Sequence, residues 1–234
     1  MLSPYLPAGL EVGGQDGPTR AVGAFKRMLL AQQMHPGQKV PLDAIANSLS
    51  LSRTPVREAM RRLEMEGFVL ALPNRGFVVQ HIGSEEMIHI FDARRCIEGF
   101  TMVTATEQRS KQFLQELIEL QAVYARVLSG SPNRRRLGML ADKAFHMRIA
   151  ERSSNPHLIR VLANLFDRLI FTRPLDGFPV ERMEQAVAEH RTILAAMKRG
   201  DTDGARRAIL NHIEAGSVSI IEHLKLVEQT ALAI

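Results

Sequence analysis

Four side chains in the second half of the chain have metal-ligand chemistry at positions where a helix would turn them inward. Asp142 and His146 stand four residues apart, on one helical face, so both can reach a single ion. His190 falls in the apolar series Met183, Val187, His190, Leu194, Met197, and His212 shares a face with Ala205, Ile209 and Gly216. One aspartate and three histidines from three helices can converge inside a bundle, where helical proteins commonly build metal sites. Neutral imidazoles with one carboxylate suit zinc, nickel, manganese or iron better than calcium. Against this stands the ordinary fate of a helical histidine, buried and bonded to backbone. His81, His89, His157 and His223 lack partners at ligand spacing and read as surface or capping residues.

A second chemistry lies in SRTPVREAMRRLEMEG, residues 52–67. Val56, Ala59, Met60 and Leu63 recur at helical spacing and make one buried stripe, which leaves Arg53, Thr54, Arg57 and Arg61 off it. Ser52 or Thr54 can cap this helix, and Pro55 fits its first turn. Two arginines and a hydroxyl at a helix N-terminus favour phosphate, and a guanidinium matches the major-groove edge of guanine. The bland alternative is a solvated basic face. A third candidate is Arg94, on the face Met87, Ile90, Phe91, Arg94, Ile97, Thr101. A buried guanidinium must find an anion: Glu98, one turn on, or a bound organic acid.

The elements that would position these groups fall into two blocks. Residues 1–18 carry Pro4, Pro7, Gly9, Gly13, Gly14, Gly17 and Pro18 with no sustained period, and read as a loose arm. From Arg20 a helical pattern runs through Val22, Phe25, Met28 and Leu29 and stops before His35-Pro36-Gly37. Leu42 to Ser48 predicts a second helix, followed by a tight connection and a third helix ending at Gly67. Phe68 to Leu72 and Phe77 to Ile82 predict a β-hairpin whose tip, Asn74-Arg75-Gly76, is basic and polar. Ser84 with Glu85 and Glu86 predicts the start of a long helix to about Gln108. Four or five more helices are punctuated at Ser110, at 130–132, 153–156, 174–179, and at Gly200-Asp201. Arg134 to Arg136 read as a solvated helix start, and Met139, Met147, Met183 and Met197 as core.

The expected fold is therefore mainly α: a small α+β winged helix-turn-helix over 19–82, preceded by the arm, then an all-helical bundle over 83–234. The chain has 234 residues, 45% of them apolar, enough for a core in each block. Its longest uncharged run, 28–38, is far below the roughly 20 residues of a membrane-spanning helix. No secretory signal pattern opens the sequence, and the single Cys96 excludes an intrachain disulfide, so a cytoplasmic location is expected. A net charge of +5 permits a polyanionic partner without requiring one.

The stretch LDAIANSLSLSRTPVREAMRRLEMEGFVLALPNRGFVV resembles the winged helix-turn-helix of the GntR family of bacterial transcription regulators, over roughly residues 20 to 82. That resemblance implies that Arg53, Thr54 and Arg57 read or clamp double-stranded DNA and that Gly76 sits at the wing tip beside Arg75. Asp43 departs from the glutamate often found there. Residues 84–230 are similar to the helical FCD effector domain of the fatty-acid-regulator subgroup, through Arg94-Arg95-Cys96-Ile97-Glu98, DKAFH at 142–146, SNPHL at 154–158, Glu189-His190, Gly200-Asp201, Ala205 and His212. The resemblance implies a divalent metal on Asp142, His146, His190 and His212, a small carboxylate effector beside Arg94, and a homodimer on a palindromic operator. The rival is a helical metal-dependent enzyme with a basic N-terminal domain. Against it, the sequence has no HExxH, nucleophile elbow or phosphate loop, and no carboxylate is expected as a general base beside the metal set.

Overall fold

The computed structural model describes residues 16–130, 133–171 and 178–232. The element order is α1 Gly17–Leu30, α2 Leu42–Leu49, α3 Arg53–Met65, β1 Val69–Leu72, β2 Gly76–Val79, α4 Ser84–Glu107, α5 Lys111–Gly130, α6 Arg134–Glu151, α7 Pro156–Phe171, α8 Val180–Arg199 and α9 Thr202–Leu232. The fold is mainly α with a small sheet, in two compact units.

In the first unit, α1 begins three residues before the expected Arg20, because Asp16 caps Thr19 N–H at 2.6 Å and Pro18 lies in the first turn. The expected arm therefore ends before Gly17, and its residues 1–15 lie outside the described ones. The apolar stripes of α1 and α3 meet: Ala21, Phe25, Leu29, Val56, Ala59, Met60 and Leu63 are all buried. Ser52 stands at the N-cap of α3 with extended backbone but makes no side-chain cap bond, and Thr54 lies inside the helix, so neither hydroxyl caps it. The hairpin pairs Val69 with Val79 and Leu72 with Gly76. Asn74 and Gly76 take positive φ in its turn, a backbone that glycine adopts without steric cost. Lys39 forms an isolated bridge with Val78, and Val40 N–H donates to Phe77 at 2.8 Å, which lays residues 37–40 alongside β2. Residues 167–171, the last turn of α7, belong to this unit: Asp167 accepts from buried Lys26 at 3.3 Å and Phe171 packs on Phe68.

The second unit is a helical bundle. α4 packs on α9, α9 on α8, α8 on α5, α5 on α6 and α6 back on α4, so five helices close a ring. Leu162 and Phe166 of α7 pack with Met147 and Ala150 of α6, and Ile97 of α4 lies against them. α4 starts at Ser84, as expected. Gly83 is the N-cap, and Ser84 N–H and Oγ bind Glu228 at 2.8 and 2.9 Å. Gly138 lets α6 come close to its neighbours: a Cβ there would meet Met183, Leu128 and Tyr124 within 3.2 Å. One turn later on the same helix comes Asp142.

Candidate metal centre and nucleic-acid interface

In the first unit, burying Val56, Ala59, Met60 and Leu63 forces the opposite side of α3 outward, and Arg53, Thr54, Arg57 and Arg61 are exposed. A cleft of about 460 Å³ opens between the start of α3 and the hairpin tip, lined by Lys39, Asp43, Arg53, Arg57, Arg75 and Gly76 among others. Four cations face one carboxylate there. That carboxylate, Asp43, accepts from Arg53 Nε at 2.5 Å and from Arg53 Nη2 at 2.6 Å. The hydrogen bonds from Arg53 hold the Asp43 carboxyl below its ordinary pKa. Asp43 thus orients one of the expected DNA-contacting arginines. Lys39, which carries no motif, was missed from sequence; only its pairing with β2 brings it to the cleft.

In the second unit, α6, α8 and α9 bring Asp142, His146, His190 and His212 together, with one ligand atom from each lying within 4.8 Å of the others. Asp142 Oδ1 lies 3.3 Å from His190 Nε2, 3.7 Å from His146 Nε2 and 3.9 Å from His212 Nε2. His146 Nε2 and His212 Nε2 are 3.1 Å apart. Bonds of about 2.1 Å to one ion set neighbouring donor atoms about 3 to 3.5 Å apart, so the cluster is close to ligating size. Asp142 Oδ1 and His190 Nε2 are buried without a hydrogen-bond partner. Orphaned acceptors crowded this closely are costly unless a cation sits among them. The residues fit a metal ion.

The other face of each histidine differs. His146 Nδ1 bonds to Glu98, and His212 Nδ1 to Glu189 at 2.7 Å. His190 stacks on Phe145 at 4.0 Å and its Nδ1 has no partner. These surroundings separate the titrations. Burial alone would lower His146, but the Glu98 and Asp142 carboxylates outweigh it and raise its pKa to about 9. Burial would likewise raise Glu98, yet Arg94 and His146 pull it down to about 2. His190, where burial dominates, falls to about 3 and is held neutral.

Arg94 lies on the inner face of α4 as expected, and its Nε donates to Glu98 Oε1 at 2.7 Å. Its guanidinium sits 4.1 Å from the Phe166 ring centroid, and Nη2 is buried without a partner. Two carboxylates, Glu98 and Glu189, lie beside the metal set. Both face Nδ1, on the side of each ring away from the ligand nitrogen, so neither is placed as a general base at the ion. Sequence spacing showed Glu98 only as a partner for Arg94 and Glu189 only as the neighbour of His190. The remaining histidines divide: His81, His89 and His157 are exposed, whereas the half-buried His223 packs edge-on against Phe178. Arg135, expected to be solvated, donates to Phe178 O at 2.7 Å. Met139, Met147, Met183 and Met197 are buried, as expected of core.

Two family descriptions match the chain: "Bacterial regulatory proteins, gntR family" over residues 19–79 and "FCD domain" over residues 89–215. The chain belongs to the GntR family of bacterial regulators, in the subgroup whose second domain is an FCD domain. It is 26% identical to the uncharacterized HTH-type transcriptional regulator YdhC of Bacillus subtilis, covering 86% of this chain and 88% of that one. It is 25% identical to the Nta operon transcriptional regulator of Aminobacter aminovorans, covering 85% and 91%. The solved structure of McbR/YncC from Escherichia coli has the same fold, with a TM-score of 0.76 at 22% identity over 90% of this chain and 99% of that one. The protein is a DNA-binding transcription regulator, and the enzyme alternative is set aside because the family and these relatives are regulators. No helix among the described residues is long and apolar enough to cross a membrane.

Proposed function

We propose that this regulator binds a palindromic operator as a homodimer and is controlled by a small organic acid bound beside a divalent transition metal. Residues 17–82, from the start of α1, would form the DNA-reading domain, and residues 83–234 the sensing and dimerising domain. One recognition helix reaches only a few base pairs, so a two-fold pair of half-sites supplies the affinity a single unit lacks. Arg53, Thr54 and Arg57 would contact the major groove and backbone, with Arg75 and Gly76 on the wing approaching the adjacent groove. The exposed ion pair of Arg53 with Asp43 is easily exchanged for phosphate or guanine.

The observation that carries the sensing half is the convergence of four donor atoms with Asp142 Oδ1 and His190 Nε2 orphaned. Asp142, His146, His190 and His212 would hold zinc, nickel, manganese or iron, and the ion when bound supplies a Lewis-acidic position for an acid's carboxylate. The free Nη2 of Arg94 supports a second anchor for that acid, although Nε is already taken by Glu98. Control follows if the acid binds the DNA-competent and DNA-incompetent states with different affinity. Metal analysis of protein purified without chelator tests the first part, with about one ion per protomer expected. Calorimetry of the metal-loaded protein against mono- and dicarboxylates and sugar acids tests the second, beside an Arg94→Met variant. Absence of metal, or acid binding undiminished by Arg94→Met, overturns the corresponding part.

A further inference from the structure

Resting on that metal reading, we infer that Arg94–Glu98 and Arg182–Glu189 are two matched relays that position His146 and His212 for the ion, leaving His190 as the one unbraced histidine ligand. The two relays repeat one arrangement. Glu98 Oε1 accepts from Arg94 Nε at 2.7 Å, and Oε2 takes the Nδ1–H of His146. Glu189 accepts from Arg182 Nη1 at 3.1 Å and Nη2 at 2.7 Å, and its Oε2 takes the Nδ1–H of His212 at 2.7 Å. Both arginines are at least nine-tenths buried. An ionised carboxylate only accepts, so each ring carries N–H at Nδ1, and Nε2 is the nitrogen left to give a lone pair to an ion once its proton is displaced. Those two Nε2 atoms are the ones that point at Asp142.

Each part of a relay has a separate effect. The carboxylate selects the tautomer and turns the ring, and its negative charge makes the opposite nitrogen a better donor. The arginine holds the carboxylate in place and keeps it ionised in a buried position. His190 stacks on the face of Phe145, with the Tyr124 ring tilted against it, and has no partner at Nδ1, so its ring is oriented by packing and its Nδ1 is not engaged by a carboxylate. The relays use different spacings, i to i+4 on α4 and i to i+7 on α8, so the repetition lies in the geometry and has no shared sequence motif.

The test uses the full chain loaded with Zn(II) or Co(II) in competition with a chromophoric chelator. Glu189→Gln, whose side chain is partly exposed, is the primary variant. The double variant Arg94→Met/Glu98→Gln removes both buried charges together and so avoids stranding a lone guanidinium. Each is expected to bind metal roughly 10- to 100-fold more weakly, the usual cost of losing such a partner. The Co(II) visible absorption should shift while stoichiometry at saturation stays at one ion. A merely structural role would lower the melting temperature of the metal-free protein and leave affinity and spectrum unchanged; that result overturns the inference. Asp142→Ala and His146→Ala separate the two levels. If they abolish binding while the relay variants keep wild-type affinity, only the relays are wrong; if they too bind normally, the metal reading itself falls.

Discussion

The first unit and the helical bundle each contain an arginine paired to a carboxylate, and the two pairs differ in almost everything but chemistry. Arg53 and Asp43 sit at the mouth of a cleft with side chains 72% and 61% exposed; Arg94 and Glu98 are 5% and 3% exposed. In water, screening and side-chain entropy leave little net stabilisation, so the Arg53 pair can exchange its partner at small cost. In the bundle, removing one member leaves a charge stranded in low dielectric. Exposure therefore separates a pair that can open to meet a polyanion from one that holds a site together.

The largest expected effect tests that contrast on stability. Glu98→Ala strands Arg94 and removes the partner of His146, and should cost about 3 to 5 kcal/mol in urea unfolding of the metal-free protein. Asp43→Ala should leave the unfolding midpoint essentially unchanged. Comparable losses in both variants would break the comparison.

A second expectation concerns pH in the bundle. The folded-state pKa of His146 is raised to about 9, so the stability it contributes is full below about 6.5 and is lost as pH rises through 9. His190 is lowered to about 3 and destabilises increasingly as pH falls below about 6.5. As far as these two groups decide, the melting temperature of the metal-free protein should peak near pH 6.5 and fall towards pH 9. Saturating metal replaces the proton on His146 and should abolish the alkaline fall, and metal affinity should rise with pH up to about 9. Differential scanning calorimetry with and without Zn(II) reads both curves; parallel alkaline limbs would count against a metal at His146.

The smallest effects belong to the exposed unit and appear in binding rather than folding. Arg57→Ala should weaken operator binding by about 1 to 3 kcal/mol if its contact is to a base, measured by fluorescence anisotropy at fixed salt. Asp43→Asn frees Arg53 and removes the one anion of the cleft, so affinity for nonspecific DNA should rise slightly. A fall in affinity would instead mean that Asp43 acts by orienting Arg53 for the duplex.

Local spacing determined a great deal by itself. The stripe Val56, Ala59, Met60, Leu63 and the exposed arginines beside it, the hairpin with its basic tip, and the helix punctuation at Gly130, 153–156 and Gly200 all follow from periodicity and turn chemistry within a few residues; the punctuation expected at 131–132 and 174–177 lies outside the described residues. Spacing also offered Asp142, His146, His190 and His212 as inward-facing candidates, but an inward histidine is equally explained by ordinary burial, and the likeness to the FCD domain was needed to favour the four as one set. Tertiary structure alone decided what lies behind and between those stripes. The pairing of Glu189 with His212, of Lys39 with β2, of Arg53 with Asp43 across ten residues, and of Lys26 with Asp167 across 141 depends on how packed elements are rotated and slid against one another. Helical period specifies which face a residue occupies; the register between two faces is set by side-chain packing across them, which no spacing along one helix records.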